Sequence, residues 1–251
     1  ASSHMAILAR EMGIPAVSQL GDVTALFNDG DEVIVDGHRG EVIISPTEKQ
    51  REDFKHRCHV EDLSFEKALE RARERAITFD GTEIEVLANI GCSEDTKRAL
   101  EYGADGVGLY RMEQIYLACS TSLPSEKQIF EELKKVVSPF AGKETVVRLL
   151  DIGADKELPF LKYPNESHAY LGRRGVRLLF DFPDLLQDQI SALLRLHQEH
   201  PLKILIPMVT LESDVERVRE LFFKLSKKLE ISEIPPIGAM IETPAAALAL
   251  E

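Results

Sequence analysis

The sequence is short of cysteine, of basic residues and of long apolar runs, and each shortage excludes a class of protein. Its three cysteines, Cys58, Cys92 and Cys119, are scattered without CxxC spacing, which argues against structural zinc and favours a reducing compartment. The 30 Lys and Arg residues are outnumbered by 43 Asp and Glu, so the net charge of -13 disfavours binding to nucleic acid or anionic lipid. Without an apolar run of ~20 residues, or a leader with a cleavage site, the sequence predicts a cytoplasmic protein without a membrane partner.

The composition is that of a globular protein. A chain of 251 residues with 44% apolar residues is long enough to bury a full core. We therefore expect one large domain or two smaller ones.

The first 46 residues combine helix and strand patterns. The stretch "SHMAILAREMG" contains good helix formers and is closed by Gly13, and an extended "IPAVSQL" follows it. The stretch "DEVIVDGHRGEVIIS" predicts a hairpin in which Val33 and Val35 lie opposite Val42 and Ile44.

Residues 48–78 are highly charged, with Leu63, Leu69, Ala72 and Ala76 at helical spacing. This pattern predicts a connecting helix. A solvated helix face without further function gives the same pattern.

Beyond Asp80, short apolar runs alternate with longer amphipathic ones, which predicts an α/β fold with a parallel sheet. Five strands are expected, in "EIEVLANI", "GVGLY", "TVVRLLD", "KILIPMV" and "IPPIGAMIE", with helices near 94–102, 126–137, 174–199 and 212–229. An open doubly wound sheet and part of an eight-stranded barrel both fit five strands.

Ligands bind at the carboxyl ends of strands in either arrangement, and these ends are unusually charged. Arg111 and Arg148 lie at two strand ends, and Arg174 lies at the predicted start of a helix. Converging arginines suit bidentate recognition of carboxylate and phosphate, so a small, doubly anionic ligand is expected. The alternative for Arg148 is a structural ion pair with Glu113 or Asp151.

Glu242 closes the fifth strand, and the "ETPAAA" that it begins predicts a helix capped by Thr243 with Pro244 at its first position. Beside an anion held by arginine, this carboxylate suits a hard divalent cation such as Mg²⁺. A lone Glu at a strand end is also a common salt-bridge partner.

His4 stands at the predicted start of the first helix, where free amides and the helix dipole would stabilise a phosphorylated imidazole. The alternative is that "SHM" remains from an expression tag.

The residues that follow His4, together with several later segments, resemble the motifs of a known family. "SHMAILAR" resembles the phosphohistidine signature S-H-x-A-I-x-A-R, and "LANIG", "GADGVGLYRME", "VVRLLDIGADKELPF", "LGRRGVR", "KILIPM" and "GAMIETPAA" follow in the matching order. The chain thereby resembles the phosphoenolpyruvate (PEP)-utilizing enzymes, most closely the Enzyme I group of the sugar phosphotransferase system.

The resemblance implies three segments. Residues 1–46 would end a swivelling β/β/α phosphohistidine domain, residues 47–81 would form a helical linker with a hinge, and residues 82–251 would begin a PEP-binding TIM barrel. Because a TIM barrel commonly needs about 250 residues, we expect the chain to be part of a longer protein.

The resemblance also implies the chemistry. His4 would accept the phosphoryl group of PEP, Arg111, Arg148 and Arg174 would hold substrate, and Glu242 would bind Mg²⁺. Pyruvate would leave, a small histidine phosphocarrier protein would receive the phosphoryl group, and the full-length protein would be a homodimer. The alternatives are a pyruvate phosphate dikinase or PEP synthase, and a non-catalytic PEP-binding regulator, for which Met112 and Arg173 leave room because they depart from the Enzyme I pattern.

Overall fold

The computed structural model describes residues 9, 14–21, 26–153, 158, 161 and 171–249. The chain divides into two compact units, Ala1–Arg71 and Ala72–Glu251. None of the described helices is long and apolar enough to span a bilayer.

The first unit contains a β-hairpin and a long helix. Strands β1 (Val33–Asp36) and β2 (Glu41–Ile44) pair antiparallel, with Val33 opposite Ile44 and Val35 opposite Val42. The predicted hairpin is therefore confirmed in its register. The predicted first helix lies almost entirely outside the described residues, and residues 14–20, predicted as extended, have no assigned secondary structure.

Helix α1 (Glu48–Arg71) follows the hairpin and has no buried residue, as its charged sequence predicts. Two ion pairs join it to the hairpin region, because Arg51 contacts Glu32 at 3.0 Å and Arg57 contacts Asp36 at 3.1 Å. The pKa of Asp36 is lowered, chiefly because the Arg39 amide donates a hydrogen bond to its carboxylate. Desolvation opposes this shift, and the Arg57 guanidinium group lowers the pKa further.

The second unit contains a five-stranded parallel sheet, which confirms the predicted α/β class. A short antiparallel pair, β3 (Ala76–Ile77) and β4 (Glu83–Ile84), precedes it. The sheet strands are β5 (Leu87–Ile90), β6 (Gly106–Arg111), β7 (Thr145–Arg148), β8 (Lys203–Ile206) and β9 (Ile237–Ala239).

The strands of this sheet stand side by side in chain order from β5 to β9. A doubly wound sheet reverses its strand order at a switch point, whereas a (β/α) barrel adds strands in one direction. The order therefore favours a partial TIM barrel, which is not closed within the described part of the chain.

The helices of the second unit are α2 (Ser93–Glu101), α3 (Glu113–Leu117), α4 (Glu126–Val137), α5 (Val176–Asp181), α6 (Pro183–Glu199), α7 (Glu212–Lys228) and α8 (Pro244–Leu248). Helix α4 buries Ile129, Leu133, Val136 and Val137, which recur at helical spacing on one face. Such faces and the apolar strands form the core, and Thr243 caps α8 as predicted.

The predicted helix over 174–199 is wrong in its continuity. Helix α5 ends at Asp181, and α6 begins at Pro183 after Phe182, whose φ of -121° and ψ of 72° are not helical. The proline ring disfavours helical geometry in the residue before it, so Pro183 divides the segment and begins the second helix.

Candidate active site

Two arginines leave neighbouring parallel strands at the same edge of the sheet. Arg111 ends β6, Arg148 ends β7, and the two residues are register partners. Strands are ~4.8 Å apart, so two like charges carried by register partners repel each other. This arrangement therefore needs negative charge nearby.

Glu113 and Asp151 supply negative charge to Arg148. Arg148 Nη2 donates to Glu113 Oε1 at 2.7 Å, and Arg148 Nη1 lies 3.5 Å from Asp151 Oδ2. The side chains of Arg148, Glu113 and Asp151 are only 11%, 9% and 7% exposed, so these pairs are largely shielded from solvent. The structural ion pair that the sequence left open for Arg148 is present with both partners.

Arg174 joins the same group through Asp151. Its Nε donates to Asp151 Oδ1 at 3.0 Å, and its Nη2 donates to Oδ2 at 3.3 Å. This two-point contact fixes the plane of the guanidinium group. Asp151 thus lies between Arg148 and Arg174.

The next residue, Gly175, permits this close packing. Its φ of +56° lies in the left-handed region, which favours glycine. A Cβ at this position would lie 2.8 Å from Met208 Cγ and 3.2 Å from Asp151 Oδ1. A larger residue would therefore press on the carboxylate that holds Arg174.

Glu242 lies three residues after the end of β9, close to the same group. Its Oε1 accepts a 2.7 Å hydrogen bond from the Met208 amide, and Met208 in turn packs toward Gly175. The sulfur of Met240 lies 4.0 Å from Arg148 Nη1. Glu242 is thus linked through Met208 to Gly175, the residue after Arg174, while Met240, two residues before Glu242, contacts Arg148.

The loop after β5 lies beside Arg111. A Cβ on Gly91 would be 3.3 Å from Arg111 Nη2, so the guanidinium group lies against the bare backbone there. Asp95 Oδ2 accepts from the Gly91 and Cys92 amides at 2.9 and 3.3 Å and holds the loop. Sequence reasoning missed Gly91, because only the "LANIG" resemblance points to it.

Two fully buried polar side chains lie outside the predicted set of site residues. Gln189 on α6 is fully buried, and its Oε1 accepts from the Leu150 amide at 3.1 Å. Tyr116 on α3 is also fully buried; desolvation and then the negative charge of Asp188 raise its pKa. Neither residue was predicted from sequence, because burial of a polar side chain leaves no periodic signal.

Arg111, Arg148 and Arg174 are called the arginine cluster below. Among the described carboxylates, Glu113 pairs with Arg148, and Asp151 contacts both Arg148 and Arg174. Part of the positive charge of the cluster is thus already offset. An anionic ligand would bring excess negative charge, which a divalent cation would balance.

The structure brings together four of the five predicted site residues, and the fifth, His4, lies outside the described residues. Within the described ranges, no group of three or more His, Cys, Asp or Glu side chains is placed to hold a metal ion. Glu242 is still an oxygen donor of the kind Mg²⁺ uses, and Mg²⁺ commonly binds one or two protein carboxylates together with substrate phosphates. The residues present therefore fit an ion shared with a phosphorylated ligand.

Comparison with known proteins places the chain in a family. Residues 66–251 match the PEP-binding domain of PEP-utilising enzymes, and residues 1–40 match the mobile domain of the same enzymes. The chain belongs to the family of PEP-utilising enzymes.

The similar curated proteins include several named phosphoenolpyruvate-protein phosphotransferase. The protein of Listeria monocytogenes is 40% identical over 258 residues, that of Geobacillus stearothermophilus 39% over 255, and that of Bacillus subtilis 35% over 252. Each alignment covers 98% of this chain but only 43–44% of the relative. The chain therefore spans less than half the length of these relatives.

Proposed function

We propose that this chain is part of an enzyme that transfers the phosphoryl group of PEP to its own His4 and releases pyruvate. The observation that carries the proposal is the convergence of Arg111, Arg148 and Arg174 at one edge of a parallel sheet, with Glu242 held nearby by the Met208 amide. The names of the similar proteins agree with this reaction.

The arginine cluster would bind the phosphate and carboxylate groups of PEP. Guanidinium groups stay charged and offer paired donors, so they can both orient the phosphoryl group and stabilise the charge that develops during transfer. Asp151 and Glu113 would keep Arg148 and Arg174 in place while these donors meet the ligand. Phosphoryl transfer depends chiefly on such positioning and charge stabilisation.

Glu242 would hold Mg²⁺. The bound ion would neutralise part of the phosphate charge. The Met208 amide would orient the Glu242 carboxylate through their 2.7 Å hydrogen bond.

In the transfer itself, the bond from phosphorus to the enol oxygen breaks and a bond to the imidazole of His4 forms. Pyruvate leaves as its enolate and is then protonated. We place His4 in a swivelling domain ending near residue 46, followed by a linker over 47–81 and a barrel domain from 82 onward. A small histidine phosphocarrier protein would then receive the phosphoryl group. The full-length enzyme would be a cytoplasmic homodimer that serves sugar transport.

The experiment is labelling of the full-length protein with phosphate-labelled PEP and Mg²⁺. We expect label on His4, none in a His4→Ala variant, and unchanged labelling in a His38→Ala variant, whose exposed histidine lies in the hairpin turn. Label that survives His4→Ala contradicts the assignment. Saturable Mg²⁺-dependent binding of PEP without labelling would instead favour a regulatory protein.

A further inference from the structure

Glu113 is a buried carboxylate that the predicted set of substrate and metal residues does not include. It begins α3, two residues after Arg111, and its side chain is 9% exposed. Its Oε1 accepts two hydrogen bonds, from Arg148 Nη2 at 2.7 Å and from the Asp151 amide at 3.0 Å.

Both donors belong to the end of β7 and the turn that follows it, whereas Glu113 follows β6. Glu113 therefore ties two neighbouring strand ends together at the edge where Arg111 and Arg148 emerge. One oxygen fixes a guanidinium group and also the backbone of Asp151, the residue that holds Arg174. Movement of Glu113 would therefore change the positions of Arg148 and Arg174.

Glu113 is poorly suited to touch the substrate itself. A carboxylate repels a phosphorylated acid, and burying it is costly unless its charge is paired and hydrogen-bonded. Here a cation and an amide provide that pairing. The contacts are thus those of a group that acts through Arg148.

We propose that Glu113 is a positioning residue, which fixes the guanidinium group of Arg148 in the orientation that binds PEP. This inference rests on the proposed function. It adds a role for a residue that makes no contact with the reacting atoms.

The test is a double-mutant cycle between Glu113 and Arg148 in the full-length protein, read as kcat/KM for pyruvate formation from PEP. Glu113→Ala removes the acceptor oxygen, Glu113→Gln keeps it without the charge, and Arg148→Lys keeps the charge without the planar group. The control, Glu126→Ala, removes an exposed ion pair with Arg195 on the outer helices. The melting temperature of each variant monitors folding.

If Glu113 acts through Arg148, Glu113→Ala lowers kcat/KM roughly 100-fold, the scale of a 1 Å misplacement. Glu113→Gln loses roughly tenfold or less, since the acceptor remains. In the Arg148→Lys background, Glu113→Ala costs at least about tenfold less than in the wild type, because the planar group is gone and only the contact with the Asp151 amide remains to be lost. Glu126→Ala leaves kcat/KM unchanged.

Equal losses from Glu113→Ala in both backgrounds would overturn the inference, as would a Glu113→Gln loss as large as that of Glu113→Ala. If Glu113→Ala does not fold, Glu113→Gln takes its place in the cycle with the same expected non-additivity. A wild-type protein that forms no pyruvate contradicts the proposed function separately. The cycle is then read on the affinity for inorganic phosphate, where additive losses would likewise sink the positioning role.

Discussion

Arg111 and Arg148 are register partners at the carboxyl ends of adjacent parallel strands, and Glu113 follows the first of them closely enough to bind the second. The cation of one strand is thereby held by an anion from the end of its neighbour. The sheet register thus brings two arginines and a carboxylate to one edge, which neither strand would do alone.

Arg174 should be far more sensitive to conservative substitution than its neighbour Arg173. Arg174→Lys would lose the two-point contact with Asp151, whereas the side chain of Arg173 is 53% exposed and pairs with Asp181 at 2.9 Å. We expect Arg174→Lys to lower kcat/KM for PEP by at least about tenfold, since lysine lacks the planar fork. Arg173→Lys should stay within about twofold, because exposed pairs contribute little. Steady-state kinetics of both variants measures the difference. Equal losses of kcat/KM would contradict the role of Arg174.

Gly175 should tolerate alanine much less well than another glycine of the same unit with positive φ. Gly175→Ala places a side chain at a φ of +56° and a ψ of -136°, a strained combination that costs about 1–3 kcal/mol, and also adds a clash of about 1–3 kcal/mol with Met208 and Asp151. Gly142, with a φ of +80°, has open space around it, so Gly142→Ala adds the strain alone. Urea unfolding should show the larger loss for Gly175→Ala. Equal losses would mean that the surroundings of Gly175 yield to a methyl group.

Binding of PEP and of Mg²⁺ should be positively coupled. Because Glu113 and Asp151 already pair with Arg148 and Arg174, an anionic ligand without a cation would add negative charge that these arginines offset only in part. We expect EDTA to weaken PEP binding at least tenfold, as measured by calorimetry. By linkage, PEP must strengthen Mg²⁺ binding by the same factor.

The matched variants for this prediction are Glu242→Gln and Glu199→Gln. Glu242→Gln should reduce the coupling, whereas Glu199→Gln, on the outer helix α6, should not change it. PEP affinity that is indifferent to Mg²⁺ in the wild type would rule out the shared ion.

Stability should fall on acidification in part because of His197. Desolvation lowers the pKa of this histidine, against a smaller opposing effect of Glu233, and its Nδ1 accepts from the Leu202 amide at 2.9 Å. Below the ordinary pKa of ~6.5, His197 binds a proton in the unfolded chain but resists it in the folded state. The contribution of neutral His197 to the free energy of unfolding is therefore present above that value, and it is lost as pH falls toward the lowered pKa of the folded state.

His197→Asn, which keeps an acceptor near Nδ1 but does not titrate, should reduce the drop in urea midpoint between pH 7.5 and pH 5.5. His56→Asn on the first unit is the control, since that ring lies on a helix with no buried residue. An unchanged drop in His197→Asn would assign the acid sensitivity to other groups.

The sequence was sufficient for features that depend on local patterns. The alternation of apolar and polar residues predicted the hairpin register at Val33 and Val35, and the pair Thr243 and Pro244 predicted the start of α8. Arg111 and Arg148 lie at strand ends as predicted, whereas Glu242, predicted to close the fifth strand, lies three residues beyond β9. These signals are readable because each depends on neighbours in the chain.

Features that depend on distant parts of the chain were not readable in this way. The pattern around Pro183 was interpreted as one continuous helix, although the restriction on Phe182 was available from the sequence. The pairing of Glu113 with the Asp151 amide requires the sheet to be formed first. The choice between a barrel and a doubly wound sheet also required the strand order.

The donor that meets Glu242 is the main-chain N–H of Met208, a residue with a φ of +57°. A group carried by every residue type except proline leaves no trace in residue identity, so the bond to Glu242 constrains the backbone at position 208 and not its side chain. The positive φ disfavours valine and isoleucine there, and the buried packing of the Met208 side chain is a separate constraint on residue size. A comparison of the residues found at this position would therefore not reveal the hydrogen bond between the Met208 amide and the Glu242 carboxylate.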